Sequence, residues 1–175
     1  MRVVNDQLGV SRNLLYQRFG SKANLWRAVI DWAFAPFLAH LQGADEESAD
    51  PMDRLRTFVC GFIEYSATRP YLGSLATLEG AAPTDRLDYL YDNYINPVRS
   101  RFVPMLEQLQ RAGRIKPIPW EVLFFLITSG GSAPFGQAGM AARMEIELDP
   151  ENPTQVRVYA EHVAEVLLNG IATHT

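Results

Sequence analysis

Leu8-Gly9-Val10-Ser11-Arg12-Asn13-Leu14-Leu15-Tyr16-Gln17-Arg18-Phe19-Gly20-Ser21-Lys22 reads as the end of one helix, a tight turn and a second short helix. Gly9 suits the positive φ that closes a helix. Val10 is a turn residue directed at a small core, and the hydroxyl of Ser11 suits an N-cap. Leu15 and Phe19, four apart, form an apolar stripe. Arg12, Asn13, Tyr16, Gln17 and Arg18 remain on the other faces. A short helix built this way has the chemistry of a major-groove reader: Arg pairs with guanine, Asn or Gln with adenine, Tyr or Lys with phosphate. The bland alternative is a structural hairpin of a helical bundle, with Arg12, Arg18 and Lys22 as solvated surface.

Working outward, residues 3–8 read as a short helical piece and 12–19 as a second. Ser21 is a good N-cap for a longer helix that reaches about Gln42. Its apolar positions Leu25, Val29, Trp32, Ala33, Phe37 and Leu41 keep helical spacing, and Pro36 is expected to kink it. Gly43 to Pro51, with Asp45-Glu46-Glu47 and Ser48, is the clearest linker. The division expected is therefore a module with its connecting helix over 1–42 and a helical body over 43–175.

In the body, helices are expected from about Met52 to Thr68 and from Tyr71 to Gly80. A long segment from Thr84 to Ala112 follows, bent or broken by Pro97 and Pro104 and ended by Gly113. The region from Pro119 to Met144 holds Gly130-Gly131 and Pro134 and should be kinked. Asn152-Pro153 is a strong helix start. The last helix sets Val156, Tyr159, Val163, Val166, Leu167 and Ile171 on one broad face. No stretch sustains strand-like alternation, so the fold class is all-α.

The 175 residues are 47% hydrophobic and 21% charged, as in an ordinary globular protein. No apolar run approaches the roughly 20 residues that span a bilayer, and no secretory leader is evident, so a cytoplasmic setting is expected. The single cysteine, Cys60, lies in an apolar run and reads as a buried thiol. Net charge is −4, unevenly spread. Residues 1–42 hold five basic and two acidic residues, a balance of +3, against −7 for the remainder. A basic end on an acidic body suits a protein that touches phosphate with one module only.

The string from Gly9 to Lys22 resembles the signature of the tetracycline-repressor (TetR) family: Gly-Val-Ser, a Leu-Tyr pair, an aromatic three residues beyond that Tyr, then Ser-Lys entering the next helix. The match is close over residues 3–30 and architectural elsewhere. The resemblance implies a helix-turn-helix followed by a larger ligand-binding and dimerisation domain. It implies that Ser11, Arg12, Asn13 and Gln17 face bases or nearby phosphates, that Tyr16 and Lys22 anchor phosphate, and that Arg18 contacts the backbone. Family members carry a further helix ahead of this string, which packs on its apolar side at Val4, Leu8, Val10, Leu15 and Phe19. Its absence here fits a start codon placed too late, a trimmed chain or a genuine loss of DNA binding. Leu14 stands where the family is usually polar.

The body holds most of the aromatics. They form a core, or they line a pocket whose buried hydroxyls and Glu79 take partners from a ligand. The resemblance puts a pocket among the middle helices, which makes Phe62, Tyr65, Glu79, Tyr94 and Phe124 the candidate ligand residues. It also implies a homodimer through the last two helices. Small residues at Gly130, Gly131, Ser132, Ala133, Ala138, Gly139, Ala141 and Ala142 either permit close helix approach or line a cavity.

An enzyme finds little support. His40, His162 and His174 are scattered without ligand spacing, and there is neither a phosphate loop nor a nucleophile set, so no catalytic residue, metal or cofactor is expected. The expected function is a ligand-responsive transcriptional repressor, released from palindromic double-stranded operator DNA by a small-molecule effector. The alternative is an N-terminally truncated ligand-binding and dimerisation protein that no longer binds DNA.

Overall fold

A computed structural model describes residues 12–44, 50–146 and 148–173. The helical piece expected at 3–8, the turn at Gly9 and Val10, and Asp45 to Ser48 of the linker lie outside the described residues. Among those described the architecture is all-helical. Helix α1 is Arg12–Phe19 and α2 is Lys22–Ala44. Then come α3, Pro51–Ala67, and α4, Tyr71–Gly80. Helix α5, Asp85–Leu90, runs through a π-helical turn, Tyr91–Ile95, into α6, Asn96–Arg111. Helix α7, Trp120–Phe125, likewise enters a π-helical turn, Leu126–Gly131. Two short pieces follow, α8 (Ala133–Gly136) and α9 (Ala138–Arg143), before the last helix, α10 (Pro153–Ile171).

The chain divides into two compact units, residues 1–36 and 37–175, so the division falls inside α2 at Pro36. In the first unit α2 buries Ile30, Ala33 and Phe34, while Trp32 is 68% exposed and Val29 is also exposed. Of the expected face, Ala33, Phe37 and Leu41 are buried, but Val29 and Trp32 are not, and Ile30 and Phe34 are buried in their place. Two apolar stripes were available on this apolar-rich helix, and periodicity does not choose between them. Helix α2 contains Pro36 in its interior, where proline returns no hydrogen bond to the preceding turn.

The second unit has its core on α3. Leu55, Phe58, Val59 and Ile63 pack with Phe102, Met105, Leu106 and Leu109 of α6 and with Leu123 and Ile127 of the α7 region. Val156, Ala160, Ala164, Leu168 and Ile171 of α10 complete it. Helix α10 lies along α3, and its small residues Ala160 and Ala164, wholly buried, permit that approach. Two ion pairs edge the contact, Arg56–Glu161 at 3.1 Å and Arg157–Glu64 at 3.5 Å. Val166, which the sequence spacing sets on the same broad face as Val156 and Ile171, is 74% exposed. Its place is taken by Ala160, Ala164 and Leu168, because burial follows the i, i+4 row through Val156.

Caps follow their sequence signals. Asp50 accepts from the Met52 N–H at 2.7 Å, and Asn152 accepts from Thr154 and Gln155. Gly113, at φ +68°, ends α6. Pro104 sits inside α6 without breaking it, and a π turn precedes α6. Pro97 is the second residue of α6, directly after the π turn. After Gly113 the chain forms an isolated antiparallel bridge, Ile115 with Ala172, and Lys116 Nζ donates to the Gly170 carbonyl at 2.9 Å. No strand occurs among the described residues.

Candidate DNA-reading helix and candidate effector site

In the first unit, α1 buries Leu15 and half-buries Phe19, as their spacing requires. Tyr16, Gln17 and Arg18 are exposed on its remaining faces, and Lys22, also exposed, opens α2. Ser11 lies outside the described residues, as do the side chains of Arg12 and Asn13, whose backbone opens α1. Leu14 is half exposed.

The turn between the helices is tightly specified. The Gly20 N–H donates to the Tyr16 carbonyl at 2.8 Å, and Gly20 takes φ +70°, which a side chain would strain. Ser21 Oγ then accepts from the Asn24 N–H at 3.1 Å, capping α2 as expected. Gly20 and Ser21 thereby fix where α1 ends and set Lys22 in the first turn of α2, where free N–H groups favour an anion.

In the second unit, Phe62 and Tyr65 of α3 gather around Phe37. Ring centroids lie 5.4 Å apart for Phe37–Phe62 and 5.2 Å for Phe37–Tyr65. His40 lies 5.7 Å from the Tyr65 ring, and the Arg69 guanidinium stands 4.1 Å over its face. The Tyr65 hydroxyl is buried without a hydrogen-bond partner. Burial pushes the phenol above its ordinary pKa, opposed by the Arg69 charge. An unsatisfied buried hydroxyl costs about 1–3 kcal/mol, which a ligand acceptor would recover.

The other three candidates sit differently. Glu79 is buried and pairs with Arg86 at 3.3 Å. Tyr94 is buried in the π turn ahead of α6. Phe124 belongs to a separate run of rings, Phe58–Phe102–Trp120–Phe124–Phe125, with centroid spacings of 3.9, 6.1, 5.8 and 5.3 Å. Phe37, His40 and Arg69 were not singled out as site residues from sequence. Arg69, four beyond Tyr65, was legible from spacing, whereas Phe37 and His40 come from another helix.

A shallow groove of about 300 Å³ runs beside α10, lined by Ile146, Leu148, Thr154, Gln155, Val158, Tyr159 and His162. Among the described residues no three His, Cys, Asp or Glu side chains are placed to hold a metal ion, and no helix is long and apolar enough to cross a membrane.

A short helix, a tight turn and a long helix, followed along the chain by a larger helical unit, is the element order of a tetR-type fold. Superposition bears this out: a bacterial regulatory protein in the tetR family from Rhodococcus RHA1 matches 99% of this chain and 86% of its own, with a TM-score of 0.65 and 16% identity. In sequence, the chain is 24% identical over 122 residues to the nucleoid occlusion factor SlmA of Vibrio atlanticus (strain LGP32). That match takes in 67% of this chain and 61% of the relative's length. No protein-family model matches the chain.

Proposed function

We propose that the chain is a DNA-binding transcriptional regulator, a repressor that a small-molecule effector releases from a palindromic operator. The observation that carries this reading is α1: Leu15 buried, Tyr16, Gln17 and Arg18 exposed, and a Gly20-Ser21 turn that brings Lys22 to the start of the next helix. Ser11, Arg12, Asn13 and Gln17 read bases or adjacent phosphates, while Tyr16, Arg18 and Lys22 hold the phosphate backbone. The shared fold with a tetR-family regulatory protein supports the assignment.

The working form is a homodimer through the last two helical regions. Val122, Phe125 and Leu126 on one and Val158 and Val166 on the other are exposed apolar side chains that a second subunit would cover. Two reading helices about 34 Å apart, or a multiple of a DNA turn, then meet the two halves of the operator.

The effector binds in the body, at Phe62 and Tyr65 beside Phe37 and His40, while Glu79, Tyr94 and Phe124, the other candidates from sequence, stand outside that cluster. The Tyr65 hydroxyl and the Arg69 guanidinium favour a ligand with an apolar or aromatic body and a hydrogen-bond acceptor. Phe37 and His40, which flank Tyr65, lie on α2, the same helix that begins with Lys22. Occupation of the site shifts the dimer toward a state whose reading helices no longer match successive grooves. Coupling of about 1–3 kcal/mol, or 5–150-fold in affinity, is the usual range. A gel-shift with DNA from upstream of the protein's own coding sequence tests the reading. Sequence-specific retention supports it; a chain that dimerises and binds small molecules yet never retains DNA favours a ligand-binding protein without operator contact.

A further inference from the structure

The two leucines of α1 lie in opposite surroundings: Leu15 is buried, whereas Leu14 is 50% exposed. With 3.6 residues per turn, Leu14 stands about 60° around the helix from Gln17 and about 40° from Arg18. Both of those side chains are exposed. Leu14 therefore shares the outward face with residues assigned above to bases and phosphate, turned away from the Leu15–Phe19 stripe. An aliphatic side chain on such a face has few partners to choose from. Base-pair edges in the major groove offer hydrogen-bond donors, acceptors and one kind of apolar group, the C5-methyl of thymine. A methylated cytosine presents the same group. Contact between that methyl and Leu14 takes apolar surface of both out of water, which is favourable. A phosphate or an unmethylated cytosine offers leucine no such gain.

The neighbouring Gln17 agrees with this. A glutamine amide suits N6 and N7 of adenine, and every adenine in a duplex sets a thymine methyl in the same groove. Leu14 and Gln17 are about 4.5 Å apart along the helix axis, comparable with the rise of about 3.4 Å between successive base pairs. We propose that Leu14 reads a pyrimidine C5-methyl group of the operator, on the base pair that Gln17 reads or on the next one. The contact rests on the assignment of α1 as the reading helix and adds the chemical group that fixes the sequence at that position. Thymine and 5-methylcytosine carry the same methyl. Where the base is a cytosine, the contact makes affinity depend on its methylation.

Gel-shift titrations of the full chain test it on one duplex, from upstream of the protein's own coding sequence, made in three forms. The first has ordinary bases, the second uracil for every thymine, and the third 5-methylcytosine for every cytosine. Uracil pairs as thymine does and lacks only the methyl. Burial of one methyl group converts to about fourfold in affinity for each half-site. Wild type is expected to bind the uracil duplex more weakly by that factor where thymine is read. Where a cytosine position is read, it binds the 5-methylcytosine duplex more tightly by the same factor. Leu14→Ala and Leu14→Gln are each expected to bind the three forms alike. Leu14→Met, which keeps an apolar side chain of similar volume, should retain the wild-type preference. A wild-type chain that binds the three forms equally overturns the methyl contact and leaves α1 standing as the reading helix. A Leu14→Ala chain that keeps the wild-type preference also overturns it, by placing the methyl contact on another side chain. A wild-type chain that retains the ordinary duplex no better than a scrambled one overturns the operator reading, and the Leu14 contact with it.

Discussion

The Tyr159 hydroxyl donates to the Gly131 carbonyl at 3.0 Å and so fastens the π-helical turn after α7 to the last helix. Gly131 is itself in close quarters. A Cβ there would lie 3.3 Å from Ile63 Cδ1 and 3.3 Å from Val163 Cγ1, between α3 and α10. A methyl group there would press on both side chains, each of which would have to give by a few tenths of an ångström.

Gly131→Ala should therefore destabilise the body by about 1–3 kcal/mol through overpacking. Tyr159→Phe, which keeps the ring against Phe135 and loses only the hydrogen bond, should cost about 0.5–1.5 kcal/mol. Denaturant melts of the two variants check both the order and the size. Equal stability of Gly131→Ala and wild type would show that the three elements do not meet so closely.

Tyr65→Phe should behave oppositely. Its hydroxyl is buried without a partner, so removing it should leave the ligand-free protein as stable as wild type or up to about 2 kcal/mol more stable. The same change should weaken effector binding, because the phenol is the donor offered to the ligand. Thermal melts with and without effector measure both effects.

Acid should weaken the cap of α3. Asp50 is held below its ordinary value of 3.8, first by the hydrogen bond from Arg114 and then by the Met52 N–H. With a depressed folded value, its contribution is complete above the ordinary carboxylate range and is lost as pH falls through the folded value. Asp50→Asn keeps an acceptor for Met52 and loses the ion pair. Its stability should lie below wild type at neutral pH and converge with it in acid, as urea melts across pH would show.

Cys60 should be inert in the folded protein. With its thiol raised to about 11, chiefly by burial, the thiolate fraction at pH 7 is on the order of 10⁻⁴. Reaction with a chromogenic disulfide should be slow in buffer and complete in denaturant. Fast labelling of the native chain would contradict the burial.

Local signals carried much of this architecture. Gly20, Ser21, Gly113 and Asn152-Pro153 each place a helix end through their own backbone or side-chain chemistry, and all four ends stand where the sequence put them. What local chemistry does not specify is which side of an apolar helix meets the core. On α2 the expected Val29 and Trp32 face solvent while Ile30 and Phe34 are buried, and on α10 Ala160 and Ala164, outside the apolar face read from sequence, are buried while Val166 is exposed. On α10 the neighbouring element decides: small residues are buried where α3 comes close. The candidate site shows the same limit. Phe62 and Tyr65 were legible as an i, i+3 pair on α3, but their partners Phe37 and His40 belong to α2, and only folding brings them together.

The most direct test of the central claim is the salt dependence of operator affinity for wild type, Lys22→Ala and Gln17→Ala, measured on operator and on scrambled DNA. If α1 reads the groove, Lys22→Ala weakens binding to both DNAs alike and lowers the slope of log affinity against log salt by about one. Gln17→Ala keeps the slope and loses about 1–3 kcal/mol of discrimination between the two sequences. Unchanged affinity, slope and discrimination in both variants would show that α1 is not the reading helix.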